Sequence, residues 1–301
     1  MTRLTSTRKI PDRHCERSEA IQSPRRGLWT ASSAAPPRND ESRTLRVGIT
    51  RRALVRTGTA AAASLLAGCD PISGSPTFRP FLDFGQFMSL HAQRLLLRGQ
   101  PLVREYSEAD ISPEFPFNGT ERPNGIAYFR HMVSNFESFR LTVDGMVNKP
   151  LSLALDEIKA MPSRTQITMH NCDEGWSAIG QWTGVPLAHL LQTAELMPQA
   201  RYIVFHCMDE MVRTPDNTGF YYESIDLFDA MHPQTILAYG MNGKALPVGH
   251  GAPLRLRVER HVGYKHAKYV NRIEAVDRLT HIARGKGGFW EDRGYQWYAG
   301  L

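Results

Sequence analysis

The chain has 301 residues, is 42% hydrophobic and carries a formal net charge of +6, so it is long enough for one large domain or two small ones. The charge is uneven: residues 1–69 hold 13 Lys and Arg against 5 Asp and Glu, whereas residues 70–301 hold 23 against 25. Because the basic excess belongs to the N-terminal leader, we expect no nucleic-acid partner for the remainder. The cysteines are too few for a disulfide scaffold; they are Cys15, Cys69, Cys172 and Cys207.

Residues 1–46 are rich in Arg, Ser and Pro and show no apolar periodicity. They are predicted to be disordered or to be a mis-assigned N-terminal extension. An export signal begins only after this point, and such signals normally stand at the start of a chain. We therefore expect translation to begin near Val47.

Residues 47–69 have the features of a twin-arginine and lipoprotein signal. Arg51 and Arg52 precede a mildly apolar stretch, residues 58–67, that is too short to span a bilayer. The letters LAGC then match a lipobox in which Cys69 is the lipidated first residue of the mature chain. The alternative is a chance Ala-rich helix. The signal predicts a mature protein in the periplasm, tethered to a membrane through Cys69.

Residues 70–110 are predicted to form a linker and a helix. Pro, Ser and Gly are frequent in residues 71–80, and residues 84–98 have the apolar spacing of a helix that ends at Gly99. Three phenylalanines are expected to pack into the core, with coverage of a hydrophobic surface as the alternative: Phe81, Phe84 and Phe87.

Residues 111–301 are predicted to form the folded domain. The domain is predicted to begin with an irregular loop of defined conformation, because residues 111–120 contain two prolines and the pair Asn118-Gly119. The pair Asn242-Gly243 predicts a hairpin turn. Hydrophobic patterning predicts strands at 139–143, 165–169 and 201–207, and helices at 153–161 and 187–196.

Cys172 is the most informative residue, because it follows a predicted strand whose rigid end can expose a reactive side chain. A thiolate is a soft metal ligand and a nucleophile. Asp173 and Glu174 would raise the pKa of the thiol, which disfavours an unaided nucleophile, whereas a metal cation would hold the sulfur deprotonated. The alternatives are a buried free cysteine and a disulfide with Cys207.

A second chemically informative stretch lies between residues 248 and 270. Arg255 and Lys265 supply cations there. The planar guanidinium of an arginine suits bidentate phosphate binding, and a lysine acts as a point charge. Arg257 is expected to be solvated or salt-bridged, and His266 is expected either beside a ligand or at the surface.

Two motifs carry a resemblance to a known family. Cys-x-Glu-x-Trp-Ser at 172–177, followed by Trp-x-Gly-x-Pro-Leu at 182–187, resembles the molybdopterin-binding domain of the sulfite oxidase superfamily, closest to catalytic subunits of periplasmic methionine sulfoxide reductases. The resemblance extends over residues 111–301. It implies an α+β fold, mixed and mainly β, of the sulfite-oxidase type, with no C-terminal immunoglobulin-like domain.

The resemblance also implies a site. Cys172 is the expected molybdenum ligand, and Glu174 is expected beside the metal as a catalytic residue, with a salt bridge as its alternative role. The cofactor, molybdopterin, is expected to be held by Asn118, Cys207, His250, Arg255, Gly263, Tyr264 and Lys265. His250 stands where the family has Asn, and Cys207 where it has a small hydroxyl residue. Asn118 has the alternative role of a turn residue.

The implied activity is two-electron transfer of an oxygen atom to or from a small substrate. Residues 173–176 read Asp-Glu-Gly-Trp where sulfite oxidases usually carry an Asn-Arg-Arg type sequence, which removes cations that would hold sulfite. Reduction of a small or protein-bound sulfoxide is therefore favoured. A sulfite oxidase or dehydrogenase, and a non-catalytic periplasmic binding lipoprotein, are the alternatives. No Cys/His set for heme or an iron–sulfur cluster is visible, so a membrane cytochrome b-type heme subunit is the expected redox partner of a monomeric catalytic subunit.

Overall fold

The computed structural model describes residues 75, 77–216 and 218–301. The predicted N-terminal extension, the export signal and Cys69 lie outside this part of the chain. Within it the elements are α1 (Arg79–Leu96), α2 (Ile126–Val133), β1 (Arg140–Gly145), β2 (Leu151–Ala154), α3 (Leu155–Lys159), β3 (Arg164–Asn171), β4 (Ser177–Pro186), α4 (Leu187–Thr193), β5 (Tyr202–Glu210), β6 (Phe220–Asp226), α5 (Leu227–Ala230), β7 (Ile236–Met241), β8 (Lys244–Ala245), β9 (Arg255–Arg257) and β10 (Val270–Val276). Short 3-10 turns lie at Glu108–Asp110, Val248–His250, Gly263–Lys265 and Glu291–Arg293.

One five-stranded sheet has the order β2-β1-β10-β5-β6. β1 runs parallel to β10, and the other neighbouring pairs are antiparallel. Leu141 and Val143 are buried while their neighbours along β1 are more exposed, so one face of this strand is in the core. Residues 203–205 of β5 are all fully buried, as expected of an interior strand that is covered on both faces. The strands predicted at 139–143 and 201–207 are confirmed.

The second sheet has the order β3-β4-β7-β8, with β9 also paired to β7, and all its pairs are antiparallel. β3 confirms the strand predicted at 165–169 and ends one residue before Cys172. The predicted turn joins β7 to β8, where Asn242 and Gly243 have φ angles of +49° and +71°. A type I′ hairpin requires positive φ at both positions, so this prediction is confirmed.

The helix predicted at 153–161 is shorter than expected. Leu153 and Ala154 belong to β2, where they pair with Leu141 and Arg140, and only Leu155–Lys159 is helical. Cross-strand packing against β1 therefore overrides the local helix preference of these two residues.

α1 presents its phenylalanines to solvent, and the prediction that they pack into the core is wrong. Their exposed fractions are 67% for Phe81, 59% for Phe84 and 53% for Phe87. Arg94 lies on the half-buried side of α1, and its guanidinium forms salt bridges with Asp226 and Asp229. This charge pairing fixes the rotation of the helix. No helix in residues 75, 77–216 and 218–301 is both long enough and apolar enough to cross a membrane.

Gly184 is the glycine of the Trp-x-Gly-x-Pro-Leu motif, and it lies where β4 meets β7. A Cβ atom at this position would lie 2.2 Å from the Leu237 carbonyl oxygen and 2.5 Å from the Ala238 Cα. Because both neighbours are backbone atoms of a paired strand, we expect Gly184→Ala to lower the free energy of unfolding by about 1–3 kcal/mol. Urea unfolding checks this value.

Gly85→Ala is the matched control for this substitution. A Cβ atom at Gly85 would meet no heavy atom within 4 Å, and alanine is the better helix former. The control is expected to leave stability unchanged or to raise it by up to about 1 kcal/mol. Equal stability of the two variants would contradict the close approach at Gly184.

Candidate active site

Cys172 is held at the end of β3 by a tight loop. Its backbone N–H donates to the Trp176 carbonyl oxygen at 2.9 Å, and the Gly175 N–H donates to the Cys172 carbonyl oxygen at 3.2 Å. Gly175 has φ +91°, a conformation that glycine adopts without strain. The loop leaves the Cys172 side chain 9% exposed in a fixed position.

The environment of the Cys172 thiol favours its protonated form in the absence of a metal. Burial raises the pKa of this thiol to about 11, and the carboxylates of Asp173 and Glu174 contribute to the increase. Asp173 Oδ1 lies 3.7 Å from the sulfur. The expectation from sequence that the adjacent carboxylates raise this pKa is confirmed, which argues against an unaided nucleophile.

A cavity of about 220 Å³ lies beside Cys172. Gly263 lines it, and a Cβ atom at Gly263 would lie 3.3 Å from Cys172 Sγ and 3.0 Å from His170 Nε2. The missing side chain therefore leaves open the space between the cavity lining and the thiol, although Cys172 itself does not line the cavity. Four residues expected at the site from sequence line this cavity: Asn118, Glu174, Gly263 and Tyr264.

Arg255 contacts two other residues of the expected site. Its Nη2 donates to Asn118 Oδ1 at 3.3 Å and its Nη1 donates to the His250 carbonyl oxygen at 3.2 Å. The side chain is fully buried and its Nε has no hydrogen-bond partner. Burial and the neighbouring Arg257 lower the pKa of Arg255 to about 9. A buried guanidinium with an unused donor is suited to an anionic ligand.

His250 is a neutral imidazole next to this arginine. Its ring centroid lies 4.7 Å from that of Phe117 and 5.4 Å from that of Phe115. Burial and Arg255 lower the pKa of His250 to about 4, and Nδ1 has no partner. His250 thus adds a polar atom and no charge.

Lys265 points away from the cavity. Its Nζ lies 2.5 Å from Glu223 Oε1 and 2.7 Å from Glu291 Oε1, and all three side chains are buried. Burial and the Glu291 carboxylate raise the pKa of Glu223. A role for Lys265 in holding the cofactor stays a prediction.

Lys268 is the lysine that lines the cavity, and the sequence reasoning missed it. Its Nζ donates to the carbonyl oxygens of Gly249, at 3.0 Å, and of Thr120. Burial and Arg255 lower the pKa of Lys268 to about 7. The sequence does contain a feature that could have identified Lys268, because it is a second lysine only three positions after Lys265.

Cys207 lies in β5 and borders a separate cavity of about 210 Å³. Both described cysteines, Cys172 and Cys207, are free thiols, so the disulfide alternative is not formed. Tyr221 lines both cavities. A contact between Cys207 and the cofactor stays a prediction.

Asp209 was also missed, although it follows Cys207 by two positions in β5. It lines the main cavity, is 3% exposed, and its Oδ1 has no partner. Burial raises the pKa of Asp209 to about 6, and the nearby Lys268 opposes this shift. The cavity wall therefore carries a carboxyl group and an amine that both titrate near neutral pH.

Glu174 and His266 both line the cavity. Glu174 Oε2 accepts a hydrogen bond from Trp176 Nε1 at 3.0 Å, and among the described residues no salt bridge involves Glu174, so its alternative role is not seen. His266 is buried, with Nε2 3.0 Å from the His261 carbonyl oxygen. His266 therefore lies beside the cavity and not at the surface, and these were the two positions predicted for it.

Arg257 forms a buried network beneath Cys172. Its Nη2 donates to Glu259 Oε2 at 2.6 Å, and both side chains are fully buried. Its Nη1 lies 3.0 Å from His170 Nδ1, and because a guanidinium only donates, Nδ1 accepts and the His170 proton is on Nε2. Arg257 is therefore salt-bridged, which is one of the two states predicted for it from the sequence.

The unusual pKa of Asp209 has a measurable consequence for stability. Its folded-state value of about 6 lies above the ordinary 3.8, so the native state binds the proton more tightly and this group costs stability as pH rises through 6. In cofactor-free protein, Asp209→Asn is expected to be more stable than wild type at pH 8 by up to roughly 3 kcal/mol, with the difference vanishing near pH 4.

Urea unfolding at a series of pH values measures this effect. Asp83→Asn, at an exposed position on α1, is the control and is expected to show no such pH-dependent gain. A constant difference between Asp209→Asn and wild type across this pH range would contradict the buried, proton-binding carboxyl group.

Comparison with known proteins gives the family. Residues 129–281 match the model of the oxidoreductase molybdopterin binding domain. A putative protein-methionine-sulfoxide reductase subunit, YedZ1 of Azospira oryzae, is 35% identical over 251 residues, which cover 83% of this chain and 87% of that protein. The protein-methionine-sulfoxide reductase catalytic subunit MsrP of Xanthomonas axonopodis pv. citri is 38% identical over 47% of this chain and 46% of its own length.

Among solved structures, the sulfane dehydrogenase SoxCD from Paracoccus pantotrophus is 24% identical, with a TM-score of 0.42, over 47% of this chain and 39% of that one. The family model and the Azospira relative, which is aligned over most of both chains, establish the family. The chain therefore belongs to the molybdopterin-binding oxidoreductases of the sulfite oxidase superfamily, and is an enzyme that depends on this cofactor.

Proposed function

We propose that this enzyme reduces sulfoxides, including methionine sulfoxide in oxidised proteins. The observation that carries the proposal is the pair of carboxylates, Asp173 and Glu174, that line the cavity next to Cys172. Negative charge at this position disfavours the sulfite anion and has little effect on a neutral sulfoxide. The names of the relatives, which are protein-methionine-sulfoxide reductase subunits, support the same substrate class.

The residues around the cavity fit molybdopterin, which carries a phosphate and binds a metal through sulfur. Lys268 lies on the cavity wall, and Arg255, which is fully buried and does not line the cavity, has an unused Nε donor. We infer that these two residues and Asn118 hold the anionic end of the cofactor, and that Cys172 ligates molybdenum. When bound, the cofactor supplies two-electron oxygen-atom transfer.

The remaining task of the protein is to deliver protons and to hold a thioether. Reduction of a sulfoxide to a sulfide consumes two electrons and two protons and releases water. Asp209 has a pKa of about 6 and faces the cavity, so it can exchange a proton at neutral pH. Met211, Trp290 and Tyr295 supply apolar and aromatic surface on the cavity wall, which suits a methyl thioether.

We also propose that the protein acts in the periplasm, exported by the twin-arginine route and anchored through Cys69. The support is the sequence of residues 47–69, in which paired arginines precede LAGC. A membrane cytochrome b-type heme subunit is the proposed electron donor. The name of the Azospira relative, a reductase subunit, supports the existence of a partner.

Activity assays of the purified enzyme test the substrate. With a reduced viologen dye, methionine sulfoxide is expected to be turned over, whereas sulfite with an electron acceptor is expected to give no significant rate. Cys172→Ser is expected to lower molybdenum content by at least about tenfold, because a metal ligand is lost. An unchanged unfolding midpoint of the cofactor-free variant is the control for folding.

Two results would contradict the proposal. Turnover of sulfite without turnover of sulfoxides would identify a sulfite oxidase or dehydrogenase. Absence of molybdenum from wild-type protein made in a host that is competent for cofactor synthesis would favour the binding lipoprotein.

Glu174→Gln tests whether the carboxylate excludes anions. Removing one negative charge close to the reaction centre changes the energy of a bound anion by about 1 kcal/mol, so the inhibition constant of sulfite against sulfoxide reduction is expected to fall about fivefold. Glu137→Gln, at an exposed position outside the cavity lining, is the control. An inhibition constant that is the same in all three proteins would count against electrostatic exclusion.

A further inference from the structure

α1 has an unusual distribution of polar and apolar residues. Its polar side chains contact the protein: Arg94 Nη2 lies 2.9 Å from Asp226 Oδ2 and 2.6 Å from Asp229 Oδ2. Gln93 Oε1 accepts a hydrogen bond from the Tyr298 hydroxyl at 2.6 Å. Arg94 and Gln93 thus attach α1 to the rest of the described domain.

Most of the large apolar residues of α1 are exposed, whereas Leu82 and Leu90 are half-buried on the side that faces the protein. The exposed fractions are 67% for Phe81, 59% for Phe84, 51% for Met88, 69% for Leu95 and 80% for Leu96. Residues 81, 84, 88 and 95 follow helical spacing and share one face. A surface helix normally buries such a face against the core, and an exposed apolar patch of this kind marks an interaction surface.

The position of α1 in the chain indicates what covers this face. Nine residues, 70–78, separate Cys69 from the first residue of α1. Because an extended residue spans at most about 3.3–3.6 Å, the first residue of α1 stays within roughly 35 Å of Cys69. If Cys69 carries a lipid, α1 is therefore always close to the bilayer.

The composition of the face also suits a lipid surface. Helices that lie in the membrane interface carry Phe and Leu on the buried side and insert them by about 5–10 Å at the boundary between headgroups and acyl chains. Such helices usually direct their polar side to water. In α1 that side is occupied by the protein itself, through Arg94 and Gln93.

We propose that the exposed face of α1, formed by Phe81, Phe84, Met88, Leu95 and Leu96, binds the surface of a phospholipid bilayer as a second membrane contact besides Cys69. A lipid on Cys69 would tether the chain at one point, whereas the exposed face of α1 would hold the catalytic domain against the membrane. The proposal is independent of which substrate the enzyme reduces.

Vesicle flotation tests the proposal with the full chain carrying Cys69→Ser, so that no lipid is attached. The vesicles contain phosphatidylethanolamine with a minority of phosphatidylglycerol. This protein is expected to float with the vesicles. Adding Phe81→Gln, Phe84→Gln and Met88→Gln is expected to weaken binding about tenfold or more, because the apolar area that leaves water is lost. Since both proteins share residues 1–78, the difference reports on α1 alone.

α2 offers a matched control. Ile126 and Phe129 are 72% and 56% exposed on that helix, and Ile126→Gln with Phe129→Gln is expected to leave vesicle binding unchanged. All of these positions are exposed, so the variants should fold, and thermal unfolding midpoints equal to that of the parent confirm it.

Four outcomes would overturn the proposal. They are no flotation of the Cys69→Ser chain, equal flotation with and without the α1 substitutions, an equal loss in the α2 control, and binding only to vesicles that contain a membrane subunit. The last result would make a protein the occupant of the face. Dimers in sedimentation analysis that the α1 substitutions dissociate, without flotation, would make the occupant a second copy of the chain.

Discussion

The site depends on one buried ion pair, between Arg257 and Glu259. Both side chains are fully excluded from solvent, and Glu259 also accepts a hydrogen bond from Gln166 of β3 at 2.9 Å. Arg257 Nη1 lies 3.0 Å from Nδ1 of His170, which is also in β3. A buried ion pair contributes little net stability, but loss of one partner is costly, so it specifies how its strands are arranged. Here it fixes β9, which carries Arg255, relative to β3, whose end presents Cys172.

Burial is also the main cause of the proton chemistry of the cavity. Desolvation raises the pKa of Asp209 and lowers that of Lys268 until both lie close to neutrality. The same effect leaves His250 uncharged. The low-dielectric wall thus converts ordinary side chains into groups that can gain or lose a proton under physiological conditions. This property suits a reaction that consumes protons together with electrons.

The sequence predicted the parts of the site that depend on local pattern. Cys172 at a strand end was predicted from the local pattern. The assignment of Asn118, His250 and Arg255 to one cofactor site came from the family resemblance, and Arg255 hydrogen-bonds both of the other residues. The direction of Lys265 was not predictable, because its partner Glu223 lies 42 positions earlier in the chain. Asp209 was overlooked because a lone carboxylate in a strand has no motif. The orientation of α1 depends on Asp226 and Asp229, which are more than 130 positions away, so helical periodicity alone assigned its phenylalanines to the wrong side.

The parallel pairing of β1 with β10 has a consequence for biosynthesis. Thr142 is in register with Arg272, so β1, which pairs early with β2, gains its second neighbour only from a strand made about 130 residues later. Contacts of such large sequence separation slow folding, because loop-closure entropy is lost before the contact forms. The sheet is therefore completed only after nearly the whole domain has left the ribosome.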